Sequence, residues 1–460
     1  MRVINILKKI ERSSLAEVYY AGEFVRDIIR RKSSKNKKIE VVARNIRLKD
    51  LIGYFNKYGD TKTDNKNYII FKPRNNHNSI VVISLPRKGN KYSPYFTLMD
   101  DARSREFTIN SMFLPISSRF KESVIDYYDG LKDIKDRKIK TVLNPKQSIK
   151  RDPINILRAV SLSAETGYKI DSNLFYYIKS NYTLISKVAK SNIRDELVKI
   201  LLSNKPSKYI KMLYKLNILG VIIPELAICV GVTQNKKYHK YDVFNHCLYA
   251  CDNIKPDIVL RLSALLHDVG KPQTRKEVPN GDGNATKITF YNHEIVGANT
   301  SKRILRSLKF SEEIVSKVYD MIYTHMYNYN PDQWTDAAIE RFIERVNIKN
   351  SDLDDLSNLP LFLLRIADRM SNGITTKPVS YRQMLLEKKI KEVFAKSNVL
   401  DIQDLSIDGD MIMEKFNLKQ GTTIGHILKY LLSVVKNDVS LNTKKSLIDV
   451  TSNYLSKALK

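Results

Sequence analysis

The sequence predicts an α+β multidomain protein, with a small α/β head at the N-terminus and an all-helical remainder. Three observations predict it. At 460 residues the chain exceeds what one ordinary hydrophobic core organises, which implies two to four domains. Over residues 1–143 the apolar pattern switches between period two and period 3.6. From residue 144 onward only the helical period recurs.

In the head, Ala16–Ala21 reads as a strand running into Gly22, and Glu23–Lys32 as a helix with basic residues at its C-terminal end, where the helix dipole favours them. Strands follow at Ile39–Val42, Tyr68–Phe71 and Ile80–Leu85, with a helix over Leu48–Tyr58. Residues 144–235 form a helical neck, with apolar positions such as Ile156, Leu157, Val160, Leu197 and Leu213, and turns at Gly167 and Pro206. The next unit, 236–375, has a helix carrying His246 and a second over Ile258–Leu266, stopped by Gly270 and Pro272. After a polar loop around Pro279–Gly283, His293 opens another helix, and helical segments carry His325 and Asp368. The tail, 376–460, divides into helices over Ser380–Ser397, Ile407–Phe416, Thr423–Lys436 and Lys444–Leu459.

A formal charge of +29 and a pI near 9.7 favour a polyanionic partner such as RNA. Three cysteines, Cys229, Cys247 and Cys251, have neither zinc-motif spacing nor an even count for pairing, so a reducing compartment is expected. No apolar run suits a signal peptide or a membrane span, and the expected location is the cytoplasm, with no membrane partner.

Five of the seven histidines lie between His239 and His325. His246, His267, Asp268, His293, His325 and Asp368 form an ordered set of imidazoles and carboxylates, the usual ligands of a hydrolytic metal, which lowers the pKa of bound water. Lys271, three residues after Asp268, is placed to neutralise a phosphate; with Asp268 it is the candidate catalytic pair. Convergence of ligands from separate helices of a bundle is the geometric expectation. The order H…HD…H…H…D resembles the HD superfamily of metal-dependent phosphohydrolases. That resemblance implies a divalent ion (Mg, Mn, Ni, Co or Fe) held by His246, His267, Asp268 and Asp368. His293 and His325 would complete a second site or contact phosphate.

The head carries a second resemblance, in Tyr20-Ala-Gly-Glu-Phe-Val-Arg-Asp27, Lys38-Ile-Glu40, Ser84-Leu-Pro-Arg87, Ser104-Arg-Glu-Phe-Thr-Ile-Asn110 and Arg151-Asp-Pro-Ile-Asn-Ile-Leu-Arg-Ala159. Together these resemble the class II tRNA nucleotidyltransferase and poly(A) polymerase family, in which a G-G-x-V-R-D turn precedes a strand bearing D-x-D. Two-metal transfer needs carboxylates clamping both ions on the triphosphate. Here Lys38 and Glu40 stand at the D-x-D positions and Val82 at the third carboxylate, while Glu23 replaces the second glycine beside Gly22. Asn155 stands where the family places a base-reading arginine; Arg26, Asp27, Arg105, Asn110, Asp152 and Arg158 match its pattern.

These departures lead to the expectation of an RNA-binding protein with an inactive head, acting on RNA 3′ ends or nucleotides through an HD phosphohydrolase site. Its partner would be tRNA or a tRNA-like 3′ end. The alternatives are an active CCA-adding enzyme or poly(A) polymerase in tRNA 3′-end processing, and a non-catalytic RNA-binding protein.

Overall fold

The computed structural model describes residues 3–458 apart from 32–37, 65–67, 75–79, 118–122, 280–285, 327–332, 376 and 397–401. The head is a six-stranded mixed sheet of β1 (Glu17–Ala21), β2 (Lys38–Arg44), β3 (Gly59–Asp64), β4 (Tyr68–Pro73), β5 (Ile80–Ser84) and β6 (Phe113–Pro115), in the order β3-β4-β5-β2-β1-β6. The pleat sends alternate residues to opposite faces, so Ile69, Phe71, Val81 and Ile83 enter one core with Leu51 and Phe55 of the helix Leu48–Phe55. β2 and β5 pair in parallel, with Lys38 opposite Ile80 and Glu40 opposite Val82.

Two head elements stand outside the set expected from the sequence. β3 reads Gly-Asp-Thr-Lys-Thr-Asp and has no apolar residue to alternate, because it is an edge strand whose backbone pairing with β4 holds it. The helix Val3–Ser13 covers the same core with Ile6, Leu7 and Ile10. The helix expected over Glu23–Lys32 spans Gly22–Ile29, and Lys32 lies outside the described residues.

The neck packs Asn155–Thr166 against Lys190–Leu201 and Pro206–Lys215. Its core is continuous in both directions: one cluster of buried side chains runs from Val25, Phe107 and Met112 of the head through Leu157, Leu197 and Leu213 to Leu265, Leu305 and Leu364.

The region after the neck departs from the all-helical expectation in one place. Lys276–Pro279 and Thr286–Thr289 pair as an antiparallel hairpin where a polar loop was expected; Asn280–Gly283 of that loop lie outside the described residues. Each strand carries a single central branched aliphatic residue, Val278 or Ile288, too few to register as alternation. Tail helices span Tyr381–Lys396, Gly409–Phe416, Thr422–Asn437 and Lys444–Ala458 around separate small cores; Ser397 and Leu459 lie outside the described residues. Among the described residues no helix is long and apolar enough to cross a membrane.

Candidate metal centre and head cleft

Five helices bring the histidine-aspartate set together. His246 lies on Val243–Asp252, whose N-terminus Asp242 caps by accepting from the Asn245 amide at 2.9 Å. His267 follows Ile258–Leu266, His293 opens His293–Ser307, His325 ends Glu312–Thr324, and Asp368 comes from Pro360–Ser371. Gly270 allows the turn after Asp268 to press on the helix of His293: a Cβ there would stand 2.3 Å from the His293 carbonyl oxygen.

The backbone sets the direction of all four imidazoles. Nδ1 of His267 lies 2.9 Å from the Ala264 carbonyl, that of His293 2.7 Å from Phe290 O, and that of His325 2.6 Å from Ile322 O. A carbonyl only accepts, so each ring carries its hydrogen on Nδ1. His246 Nδ1 meets Ser371 Oγ at 3.0 Å; that hydroxyl donates to Asp368 O at 2.6 Å and therefore accepts from the ring. Each Nε2 lone pair is left facing the interior. His246 and His267 present theirs 3.2 Å apart, and the buried Nε2 atoms of His293 and His325 have no hydrogen-bond partner.

Two donor groups result, His246/His267/Asp368 and Asp268/His293/His325, each with its ligand atoms within 4.8 Å of one another. Asp268 stands between them. Its Oδ2 is 3.3 Å from His267 Nε2 and 3.5 Å from His246 Nε2, and its Oδ1 is 3.3 Å from His293 Nε2 and 3.9 Å from His325 Nε2. Asp368 Oδ1 lies 2.9 Å from His246 Nε2. Ligands bonded at about 2.1 Å to one small cation stand roughly 3.0–3.4 Å apart, so these spacings fit a divalent ion with imidazole and carboxylate donors.

Burial would push the Asp268 carboxyl up, but His267 and Lys271 outweigh it and hold it well below the usual carboxylate range. Asp368 is likewise lowered against its burial, first by His246. Burial lowers His325, whereas Asp268 raises His267 against its burial. Lys271 does not reach into the cleft as the sequence suggested. It is buried, 2.6 Å from Asp268 Oδ2 and 2.7 Å from Gln234 Oε1, so it neutralises a ligand carboxylate.

The head site is assembled differently. Lys38, Glu40 and Val82 share one face of the sheet, as the β2–β5 register requires. Glu40 is bound by Arg105 at 2.9 Å, and Arg105 also holds Asp101 at 2.8 Å and the Asn110 carbonyl at 3.1 Å. Gly22, at φ +63°, makes room for this bridge, since a Cβ there would fall 2.1 Å from Glu40 Oε2. One paired carboxylate, an ammonium and an isopropyl group do not fit a two-cation clamp. Asp100 caps the helix Leu98–Ser104 from inside its first turn, and Asp101 pairs with Arg105, so neither supplies the missing ligand.

Arg105 and Asn110 act as internal braces. The Asn110 side chain accepts from Arg26 at 3.2 Å. Arg26 is buried, gripping Asp27 at 3.0 Å and Glu165 of the neck, and Arg30 donates to Thr166 O at 3.0 Å. These arginines fasten the head to the neck.

A cleft of about 350 Å³ lies where head and neck meet, lined by Arg87, Ser104, Glu106, Arg151, Asp152 and Arg158 among others. Asn155 faces it from a buried position, donating to Ser148 Oγ at 3.2 Å and accepting from Arg158 at 3.2 Å. Arg158 also holds Asp152 at 2.9 Å. The cleft therefore keeps three arginines although position 155 has lost one. Arg158 and Arg87 hold Glu106 below the usual carboxylate range against the effect of burial. Arg87, Glu106 and Arg151 belong to motifs visible in the sequence, but nothing there marked them as cleft residues; they emerge only when the strand, turn and neck are brought together.

Three family models match in order: a poly A polymerase head domain over residues 18–140, a probable RNA and SrmB-binding site of polymerase A over 167–229, and an HD domain over 237–373. In that order the chain carries a poly A polymerase head, an RNA-binding region and an HD domain, and so resembles the tRNA nucleotidyltransferase and poly(A) polymerase family. It is 28% identical over 346 residues to the A-adding tRNA nucleotidyltransferase of Deinococcus radiodurans, covering 73% of this chain and 74% of that one. With the CC-adding tRNA nucleotidyltransferase of Thermus thermophilus it shares 26% over 348 residues, 73% of each chain. The crystal structure of the Bacillus stearothermophilus CCA-adding enzyme in complex with CTP shares the fold, with a TM-score of 0.60 over 99% of this chain and 100% of that one at 14% identity.

These relatives correct the expectation of an inactive head beside an HD phosphohydrolase. They are named for nucleotide addition and match 73% of this chain, which supports the transferase reading over the hydrolase one. Lys38, Val82 and Asn155 weighed too heavily in the sequence: two altered side chains of the head and one of the neck sit among a sheet, a Gly22 turn and an arginine cleft that are all present.

Proposed function

We propose that the protein is a tRNA nucleotidyltransferase that adds C or A residues to tRNA 3′ ends in the cytoplasm, the head–neck cleft holding the incoming nucleotide. The observation that carries this reading is convergence. Arg87 after β5, Ser104 and Glu106 after the helix Leu98–Ser104, and Arg151, Asp152 and Arg158 of the neck are far apart in sequence yet line one cleft. Three guanidiniums supply charge for a polyphosphate, while Asp152 can accept from the exocyclic amino group that cytosine and adenine share. Similarity to the A-adding and CC-adding enzymes supports the same reading. The +29 charge suits a tRNA body running along neck and tail.

The test is incorporation of labelled CTP or ATP into tRNA lacking its 3′ end, with Arg158→Ala as comparison. Incorporation by the wild type, reduced about tenfold or more in the variant, is the expected outcome. No incorporation of either nucleotide across a range of divalent metals would defeat the reading.

For the second centre, the reading is that His246, His267, Asp268 and Asp368 hold a divalent cation, with His293 and His325 opposite the other oxygen of Asp268 as ligands for a second. The orphaned Nε2 atoms of His293 and His325 support it. The cation would supply Lewis acidity; the chain contributes fixed tautomers and a carboxylate kept ionised by Lys271. Equilibrium dialysis with Mn or Co against the His293→Ala and His325→Ala variants tests the ligand set: neither variant should bind as many equivalents as wild type.

A further inference from the structure

His239 lies seven residues before His246, on the connection leading into that histidine's helix, and no role has yet been given to it. Its ring packs edge-to-face on His246, with centroids 4.8 Å apart. Its Nδ1 is buried and has no hydrogen-bond partner. The connection holding it is pinned on three sides: Gln234 accepts from Lys271 and donates to Tyr241 O at 3.3 Å, Lys240 N donates to Asn372 O at 2.8 Å, and His239 N donates to Asn235 O at 3.0 Å.

His239 is absent from both groups of converging donor atoms, which places it outside the ligand sets themselves. The charge of the centre indicates what it faces. One divalent cation and Lys271 outweigh Asp268 and Asp368 by one positive charge, and a second cation widens the excess. An exogenous ligand is therefore an anion, which an unpartnered ring N–H meets by donating. We infer that His239 is a further residue of the HD centre, whose Nδ1–H donates to an oxyanion of the phosphate class bound at the cation. The inference rests on reading the centre as a metal site and concerns binding alone.

The experiment uses the full chain, stripped by chelation and reloaded with cobalt(II), whose visible spectrum reports its ligands. Cobalt is titrated first, then inorganic phosphate, for wild type, His239→Phe and His239→Asn. Asparagine keeps an N–H group near the position of Nδ1. Both variants should bind cobalt within about threefold of wild type. Phosphate affinity should fall roughly tenfold or more in the Phe variant and less than about threefold in the Asn variant, as loss and retention of one hydrogen bond to a charged group require. Unchanged phosphate affinity in both variants overturns the inference, as does loss of cobalt itself in His239→Phe, which would make the residue a ligand or a structural support. A wild-type cobalt protein that takes up no phosphate overturns it too. Failure of the wild type to bind cobalt is a different result, since it removes the metal reading before any variant is made.

Discussion

The HD centre and the strand face of the head both gather acidic groups at the junction of several elements, and they treat those groups in opposite ways. In the HD centre the backbone carbonyls and Ser371 take up every Nδ1, so four Nε2 lone pairs remain for a cation, and one buried lysine keeps Asp268 ionised. In the head Arg105 takes up Glu40, Lys38 occupies a neighbouring position on the same face, and Val82 offers nothing. The first arrangement leaves donors free for an absent charge, whereas the second already contains its own countercharge. A residue type therefore reports metal binding only when its hydrogen-bond partners are known.

The largest expected effect comes from removing the residue on which the HD arrangement depends. Asp268→Ala should abolish binding to both donor groups, lowering cobalt affinity on the order of a hundredfold or more. It also strands Lys271 in a buried place, at a cost of about 3–5 kcal/mol in urea unfolding of the metal-free protein. Retained two-site binding would erase the difference between the two regions. Next is Arg26→Ala, which leaves Asp27 and Glu165 without their buried cation and should destabilise the head–neck junction by about 3 kcal/mol. The exposed pair Arg47–Asp50 supplies the control, since Arg47→Ala should leave the urea unfolding midpoint unchanged.

The comparison can also be sharpened by converting one region toward the other. Lys38→Asp combined with Val82→Asp places three carboxylates on one face of the head sheet; nucleotide incorporation should rise about tenfold and become steeper in magnesium. An unchanged rate would show that the face takes no part in transfer. The smallest effect concerns pH. Glu106 has a folded pKa below its ordinary 4.5, so the unfolded chain binds more protons between the two values. Its stabilisation is complete above pH 4.5 and is lost as pH falls through the folded value. Glu106→Gln should therefore flatten the acid limb of a stability–pH curve below about pH 4.5.

Much of this was legible in the sequence, for identifiable reasons. The six HD residues stand at helix ends or on helices in a fixed order, and periodicity places such positions well. The strands bearing Phe71 and Ile83 were visible because each buries alternate residues, and that of Val41 because it is a short apolar run buried on both faces. The edge strand Gly59–Asp64 and the hairpin beyond Lys276 were not, since backbone pairing and not apolar burial holds them. Nor could spacing show that Lys271 turns inward to Asp268, that Arg105 and Asn110 brace the head from within, or that His239 approaches His246. Those depend on side-chain direction. The functional weighting failed where Lys38, Val82 and Asn155 were counted as losses while the arginines that line the head–neck cleft beside Asn155, contributed by distant segments, went uncounted.

The unbroken core from Val25 to Ala367 has a consequence for how the molecule comes apart. The floor of the head cleft and the supports of the HD centre belong to a single cooperative unit, while the cluster around Phe342, which includes Leu361 and Phe362 on the helix of Asp368, and the tail cluster around Leu431 are separate and small. Amide exchange should then show the floor of the cleft and the helix of His246 opening with one common free energy, with the tail helices opening earlier. Heat or denaturant would release the far end of a bound RNA before either centre was disturbed.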